Sequence, residues 1–338
     1  MAHNAHYSNP DPEIGPILSQ MPPSPPMHDL KIAREEFKTI HLPHLQNLFK
    51  PDLPEDSAYS VRDHTVPVEG GDITIRVIIP QTNPHRKEYP VLLWYHSGGF
   101  MLGGIDQDDY YLRRLSVDFQ VVIVNVDYRK HPFPIGLNDS YSAIKWVVEN
   151  AASISVSPKL GFILAGCSAG ANFSAVLSIR ARDDPYFKDR GVAITGQWLQ
   201  APTILHPDAN VQQFKDDLYS MEQNKDAPIL SAQMLRDQIA AYGAPPEDPE
   251  YSVALAPSHK DLPPAYVQVC GLDPLRDDGL LYEKILRDNG VHTKLDIYPG
   301  LPHGGFLYFL TFPIAKRFLA DAREGLRWLL QTSGGVDV

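Results

Sequence analysis

The chain has 338 residues, of which 43% are hydrophobic and 21% charged, and its formal net charge is −11. This composition is typical of a globular protein with a sizeable core, and the acidic balance without a basic cluster excludes a role in binding nucleic acid. No apolar run reaches the roughly 18 residues that a membrane span needs. Two cysteines and no apolar secretory segment near the N-terminus lead us to expect a cytoplasmic protein without disulfides.

The first 50 residues are predicted to form an N-terminal arm. A short helix is predicted over 11–20, with Asp11 as its N-cap and Pro12 as its first helical residue, and a second helix over 28–39. The proline run at 21–26 suits either a polyproline II ligand or a connection within a cap. We expect the arm to cover another part of the protein or to be a tail.

Strands and helices begin to alternate near residue 63. The segments 65–68 and 73–79 predict a hairpin, because a Gly-Gly turn lies between two β-branched runs. Further strands are predicted over 91–95, 121–126, 162–165, 193–199, 265–269 and 294–298, and helices over 141–151, 169–181, 279–287 and 313–331. This alternation predicts an α/β fold whose mainly parallel central sheet is flanked by helices. Within this core, residues 51–338, the irregular stretch at about 206–259 is expected to be an insertion.

The segment 166–170, Gly-Cys-Ser-Ala-Gly, lies between a predicted strand and a predicted helix. G-x-S-x-G in this context is typical of a nucleophilic serine, here Ser168, held on a strained turn that the glycines permit. The N-terminus of the following helix offers backbone donors to a developing oxyanion. An ordinary tight turn is the alternative, and the flanking strand and helix favour the nucleophile.

The segment 96–100, His-Ser-Gly-Gly-Phe, follows the strand predicted over 91–95. Consecutive small residues allow several peptide N–H groups to point at one position, as an oxyanion hole requires. Alone, this pattern indicates only a glycine loop; beside the serine turn, it favours an oxyanion loop. We expect Phe100 and Met101, directly after the glycines, to line a substrate pocket.

A serine nucleophile needs a base and a carboxylate that orients it. Asp273 and His303 each follow a predicted strand, so we expect both at the same edge of the sheet as Ser168. The chain order Ser, Asp, His is that of the α/β-hydrolases. Asp277 and Asp278 are alternative acids, but we expect them to cap the following helix.

Over residues 65–330, these motifs together resemble the hormone-sensitive-lipase-like family of α/β-hydrolases. Its H-G-G-G-[FW], G-D-S-A-G, D-P-L-x-D and H-x-F patterns resemble segments 96–100, 166–170, 273–277 and 303–306, and its D-Y-R…F-P pattern resembles 127–134. The resemblance implies Ser168 as nucleophile, His303 as general base and acid, and Asp273 as the orienting carboxylate. It also implies oxyanion donors at the N–H groups of Gly98, Gly99 and Ala169, and a cap made of the arm and the insertion.

Three features depart from the family pattern. Ser97 replaces the first glycine of the oxyanion loop, which should matter little because the donors are the two later residues. Cys167 replaces an acidic residue; we interpret it as a small buried hydrophobe, with a redox-sensitive thiol as the alternative. The segment between Arg129 and Phe133 is shorter and lacks a glutamate, so one pocket wall is expected to differ.

Other candidate sites have simpler explanations. His3 with His6, and His41 with His44, are spaced for one helix face, but no ligand cluster completes a metal site, so no metal is expected. Four aromatic residues could line an acyl pocket: Phe306, Tyr308, Phe309 and Phe312. Because an aromatic-rich helix start is more often part of the core, we expect these residues to be buried.

The sequence therefore predicts a carboxylic-ester hydrolase without a cofactor, acting as a monomer or homodimer on a small-molecule ester. Acetyl or short acyl esters, including those of specialised metabolites, are the expected substrates. A lyase or cyclase using the same pocket is one alternative. A non-hydrolytic receptor is another, and His303, which receptor-like relatives in plants have lost, argues against it.

Overall fold

The computed structural model describes residues 4–21, 24, 27, 29–83 and 85–333. Its central sheet has eight strands in the order β1-β2-β4-β3-β5-β6-β7-β8. β2 runs antiparallel to β1 and β4, and all neighbouring pairs from β4 to β8 are parallel. The strands are Tyr59–Val68 (β1), Gly71–Pro80 (β2), Val91–Tyr95 (β3), Val122–Asp127 (β4), Phe162–Cys167 (β5), Gly196–Gln200 (β6), Ala265–Leu272 (β7) and Thr293–Pro302 (β8).

The helices of the core pack on both faces of this sheet, and shorter ones lie in the arm and the insertion. The α-helices are Gly15–Leu18 (α1), Leu30–Glu36 (α2), Leu42–Phe49 (α3), Asp109–Phe119 (α4), Ile135–Asn150 (α5), Ala169–Asp183 (α6), Pro185–Asp189 (α7), Ser220–Gln223 (α8), Ala232–Tyr242 (α9), Arg276–Asp288 (α10), Gly305–Tyr308 (α11) and Pro313–Thr332 (α12). Short 3₁₀ turns lie at Ala5–Ser8, Lys50–Asp52, Asp56–Ala58, Ala151–Ile154, Pro158–Leu160, Gln212–Phe214 and Val253–Leu255. None of these helices is long and apolar enough to cross a lipid bilayer.

The two faces of the sheet form two hydrophobic cores. Because successive side chains of a strand point to opposite faces, Val91, Leu93 and Tyr95 of β3 belong to the core with α5 and α6. Leu92 and Trp94 belong to the other core, with α4 and α12. The continuous apolar run of β3 is therefore explained by helices on both sides, and the predicted α/β architecture is confirmed.

The core elements occur where the sequence predicts them, with shifted ends and one omission. β1 begins earlier than predicted, at Tyr59, and α5 begins at Ile135. α4 was not predicted, although Leu112, Leu115 and Phe119 form its buried stripe at helical spacing. Four of the eleven residues of α4 are charged, and they lower the mean hydropathy of the segment, which obscured the stripe.

The arm differs most from the prediction. The helix expected over 11–20 is limited to α1, where Asp11 accepts hydrogen bonds from the N–H groups of Glu13 and Ile14. The helix expected over 28–39 continues as a π turn at 37–41 and then as α3. Pro43 explains the π turn, because proline cannot donate to the carbonyl of residue 39 and its ring crowds that carbonyl. His3 and most of the 21–26 proline run lie outside the described residues.

Candidate active site

Ser168 occupies the sharp turn between β5 and α6. Its backbone has φ +56° and ψ −117°, a strained conformation for a residue other than glycine. A Cβ atom on Gly166 would lie 2.5 Å from the carbonyl carbon of Gly170, and one on Gly170 only 1.9 Å from the carbonyl oxygen of Tyr95. Both glycines are therefore required, because α6 begins in direct contact with the ends of β3 and β5.

Asp273 and His303 meet beside this turn. Each directly follows the carboxyl end of a strand, β7 and β8 respectively. Nδ1 of His303 lies 2.7 Å from Oδ2 of the fully buried Asp273, whose Oδ1 accepts a hydrogen bond from the N–H of Leu275 at 2.8 Å. An ionised Asp273 places the imidazole proton on Nδ1 and leaves the lone pair on Nε2.

Asp277 and Asp278 do not cap the following helix, contrary to the prediction. α10 begins at Arg276 and its N-terminus has no side-chain cap. Both carboxylates instead accept hydrogen bonds from backbone N–H groups of the β6–β7 connection: Tyr219 and Ser220 for Asp277, and Ile204 and Leu205 for Asp278. Burial raises the pKa of Asp278 to about 7. Asp277 thus fastens the insertion to the core, and Asp278 fastens the two residues that precede it, close to Asp273 in the chain.

Gly98 and Gly99 follow β3 at the same edge of the sheet. Their φ angles are +126° and +56°, which glycine adopts readily. A Cβ atom on Gly98 would lie 2.6 Å from the carbonyl oxygen of Leu102, and one on Gly99 would lie 2.4 Å from Oε1 of Gln238. Ala169 is the first residue of α6, so its N–H is one of the free donors at that helix N-terminus.

Side chains on both sides anchor this loop. Ser97 accepts a hydrogen bond from Nε2 of Gln107 at 2.6 Å, so the hydroxyl that replaces a family glycine helps to hold the loop. His96 is fully buried and stacks on Tyr128 with ring centroids 4.1 Å apart. Burial lowers the pKa of His96 to about 4, so its ring is neutral near pH 7. In the sequence, Tyr128 is notable only as part of a family pattern. The structure gives it a role, because its ring packs on the His96 ring beside the loop.

A cavity of about 200 Å³ lies over these groups. Ser168, His303, Gly98 and Gly99 are among its lining residues. The arm contributes Ala33, Glu36, Phe37, His41 and Leu45, and the insertion contributes Ile229, Leu230, Met234 and Gln238. Segments distant in sequence therefore enclose one site.

Phe100 and Met101 do not line this cavity, and the prediction for them is wrong. Phe100 has φ +66° and is 2% exposed, because its ring is turned into the core and stacks on Tyr242 at 4.2 Å. Met101 borders a neighbouring cavity of about 340 Å³, which also includes Arg34. Leu102 lines the cavity of Ser168 instead.

Tyr308 was expected in the core, but it lines the cavity and is 39% exposed. Its hydroxyl lies 3.0 Å from Nδ1 of His41, and its ring stacks on His44. Phe306 and Phe309, by contrast, are buried as expected. The arm and α11 are thus joined at the cavity mouth by His41 and Tyr308.

Cys167 also lines the cavity, although it is only 7% exposed. Burial raises the pKa of its thiol, so the thiol is protonated near neutral pH and is a poor nucleophile. Among the described residues, no three His, Cys, Asp or Glu side chains are grouped as a metal site would require. The cavity wall includes the Ser168 hydroxyl and the His303 imidazole.

Comparison with known proteins places the chain in a family. A family profile described as alpha/beta hydrolase fold matches residues 92–307. The chain belongs to the hormone-sensitive-lipase-like α/β-hydrolases. Among the relatives of this hydrolase, carboxylesterase NlhH of Mycobacterium tuberculosis is 34% identical over 320 residues, which are 90% of this chain and 92% of the relative. Versiconal hemiacetal acetate esterase of Dothistroma septosporum is 32% identical over 298 residues, covering 86% and 88%.

One solved structure is similar to this hydrolase over nearly the full given sequence. The crystal structure of vibralactone cyclase superposes with a TM-score of 0.92 at 37% sequence identity, covering 97% of each chain. Structural similarity of this extent includes the arm and the insertion as well as the sheet.

Proposed function

We propose that this hydrolase is a serine carboxylesterase that cleaves acetyl or short acyl esters through an acyl-enzyme. One observation carries the proposal: a strained serine and a carboxylate-bound histidine share one cavity with Gly98 and Gly99. Esterases among its relatives support ester hydrolysis as the reaction class.

In this mechanism, Nε2 of His303 removes the hydroxyl proton of Ser168 as the oxygen attacks the ester carbonyl. The 2.7 Å contact with Asp273 orients the ring and stabilises the imidazolium that forms. The imidazolium then protonates the departing alcohol. Water, deprotonated by His303, attacks the acyl-enzyme and releases the carboxylic acid and Ser168.

The oxyanion is assigned to the N–H groups of Gly98, Gly99 and Ala169. Fixed donors of this kind are effective because they need no reorganisation as the charge develops, and losing one costs roughly 10²–10³-fold in kcat. The positive φ angles of both glycines and the start of α6 at Ala169 support this assignment.

The arm, residues 1–50, and the insertion, about 206–259, are assigned as the cap over the 51–338 hydrolase core. Both contribute lining residues to the cavity, and Asp277 ties the insertion to the core. A volume of about 200 Å³ is small beside the roughly 300–1,000 Å³ typical of drug-sized ligands, which favours short acyl groups.

The test is hydrolysis of p-nitrophenyl acetate, butyrate, octanoate and palmitate by the wild type, Ser168→Ala and the control Ser142→Ala. We expect turnover strongest on the short chains, lost by about 10⁴–10⁶-fold in Ser168→Ala and unchanged in the control. Turnover that survives in Ser168→Ala, or none on any ester, would contradict the proposal.

Cyclisation is a second candidate, favoured by the similarity to vibralactone cyclase over 97% of both chains. A hydroxyl of the substrate's own acyl chain would attack the acyl-enzyme carbonyl. The bond to the serine oxygen then breaks, and His303 transfers the hydroxyl proton to Ser168. Mass spectrometry in ¹⁸O-labelled water separates the two, because a hydrolysed acid gains the label and a lactone does not.

A further inference from the structure

Gln238 is the polar exception on the buried side of α9. Leu235, Ile239 and Tyr242 of this helix are buried in the larger core, as helical spacing predicts. Gln238 lies on the same side and is only 8% exposed. It also lines the cavity that contains Ser168, so its amide is placed at the site and not in bulk solvent.

The Gln238 side chain lies directly against the oxyanion loop. A Cβ atom on Gly99 would lie 2.4 Å from Oε1 and 2.8 Å from Cβ of Gln238. The side chain therefore passes over the α-carbon of Gly99, and its amide lies next to the peptide assigned to the substrate carbonyl. A ligand group that reaches this amide must be close to the reacting carbonyl.

The Gln238 amide has no hydrogen-bond partner within the described part of the chain. In the other buried glutamines at least one end of the amide is hydrogen-bonded within the protein: Gln107, Gln197, Gln200 and Gln268. An ester without a polar group at this position would displace water from the Gln238 amide and leave the amide unpaired, which is unfavourable. A ligand hydroxyl would remove this cost, because it can donate to Oε1 or accept from Nε2.

We propose that Gln238 is a specificity-determining residue that selects esters carrying a hydroxyl group near the reacting carbonyl. This inference rests on the proposed esterase function and specifies its substrate class. The hydroxyl belongs to the acyl chain or to the alcohol, and both sources offer the same group to the amide. Sites that bind a substrate hydroxyl disfavour analogues that lack it, because the protein amide is then left unpaired.

Two matched ester pairs distinguish the sources. The acyl pair is p-nitrophenyl 3-hydroxybutyrate and p-nitrophenyl 3-methylbutyrate, and the alcohol pair is 2-hydroxyethyl butyrate and propyl butyrate. Members of each pair have equal numbers of heavy atoms and differ in one hydroxyl. The proteins are the wild type, Gln238→Met, which keeps an unbranched side chain against Gly99, and the control Gln233→Met on the exposed side of α9.

In the wild type and in Gln233→Met, we expect kcat/KM about tenfold or more higher for the hydroxylated ester in one pair. In Gln238→Met this ratio should fall to near one. Ratios near one in the wild type for both pairs, or a preference that survives in Gln238→Met, would overturn the proposal. If Gln238 only packs against its neighbours, Gln238→Met should lower kcat/KM equally for both members of a pair, and this result would also overturn the proposal.

Binding separates this inference from the esterase proposal. Calorimetry on Ser168→Ala and on Ser168→Ala with Gln238→Met measures affinity for the same esters without turnover. A hydroxyl preference of about tenfold in Kd, present only with Gln238, supports the inference even if hydrolysis is not the reaction. Equal Kd values for both members of each pair would overturn it even if Ser168-dependent hydrolysis is observed.

Discussion

Tyr128 holds the carbonyl oxygen of His96 through a 2.9 Å hydrogen bond from its hydroxyl, while its ring stacks on the imidazole. This contact fixes the first peptide of the oxyanion loop from the core side. Gln107 holds the next residue, Ser97, and the two residues after it are glycines with positive φ angles. The position of the proposed oxyanion donors thus depends in part on Tyr128, which does not line the cavity of Ser168.

Tyr128→Phe should therefore slow the reaction without removing any group from the cavity. The variant keeps the stacked ring and loses only the hydrogen bond, so we expect kcat to fall about tenfold and KM to change little. Steady-state kinetics on p-nitrophenyl butyrate measures this, with Tyr282→Phe, a buried tyrosine far from the loop in sequence, as control. A KM effect with unchanged kcat would contradict a positioning role.

Asp273→Asn should remove most of the activity while the fold remains. The amide cannot stabilise the imidazolium of His303 and favours the wrong tautomer, so kcat should fall by about 10⁴-fold. Asp278→Asn is the matched control, because it lies in the same segment and retains an acceptor for the N–H groups of Ile204 and Leu205. If Asp278→Asn were the inactive variant, the orienting acid would have been assigned to the wrong residue.

Gly99→Ala should disrupt the site more than backbone strain alone predicts. Its Cβ atom would meet Oε1 of Gln238 at 2.4 Å, so the loop or α9 must shift. Gly191→Ala is a control for strain, since Gly191 has φ +62° and nothing within 4 Å of a Cβ atom. We expect about 1 kcal/mol of destabilisation in the control, and in Gly99→Ala a larger loss of stability with at least 10²-fold lower kcat. Equal effects of the two substitutions on stability and kcat would contradict this.

The buried carboxyl of Asp278 should make the protein less stable as the pH rises. Its pKa is raised by burial from 3.8 to about 7 in the folded state. The folded protein therefore binds this proton more tightly than the unfolded chain, so the stabilisation is complete below pH 4 and is lost towards pH 7. Urea unfolding between pH 4.5 and 8 should show a smaller decline for Asp278→Asn than for the wild type. Parallel curves for the two proteins would contradict the assignment.

The regular part of the fold was predictable because it depends on local patterns. Apolar runs and helical stripes determine the sheet and its helices, and Ser168, Asp273 and His303 each directly follow a strand. Phe100 was not predictable, because its left-handed backbone turns the ring into the core and nothing in its sequence neighbourhood signals that. Gln238 was missed for another reason: its significance arises from contact with Gly99, which is distant along the chain.

Asp277 binds the insertion at Tyr219 and Ser220, and Asp278 binds the two residues that precede it, Ile204 and Leu205. These four hydrogen bonds use main-chain N–H groups, whereas Ser220 and Asn224 attach the insertion to the Asp273 loop through their side chains. The cavity-lining residues Ile229, Leu230 and Met234 take no part in these hydrogen bonds, so they can be exchanged while the attachment remains. Substitutions at these positions would change which substrates fit the cavity, while Ser168, Asp273 and His303 stay in place.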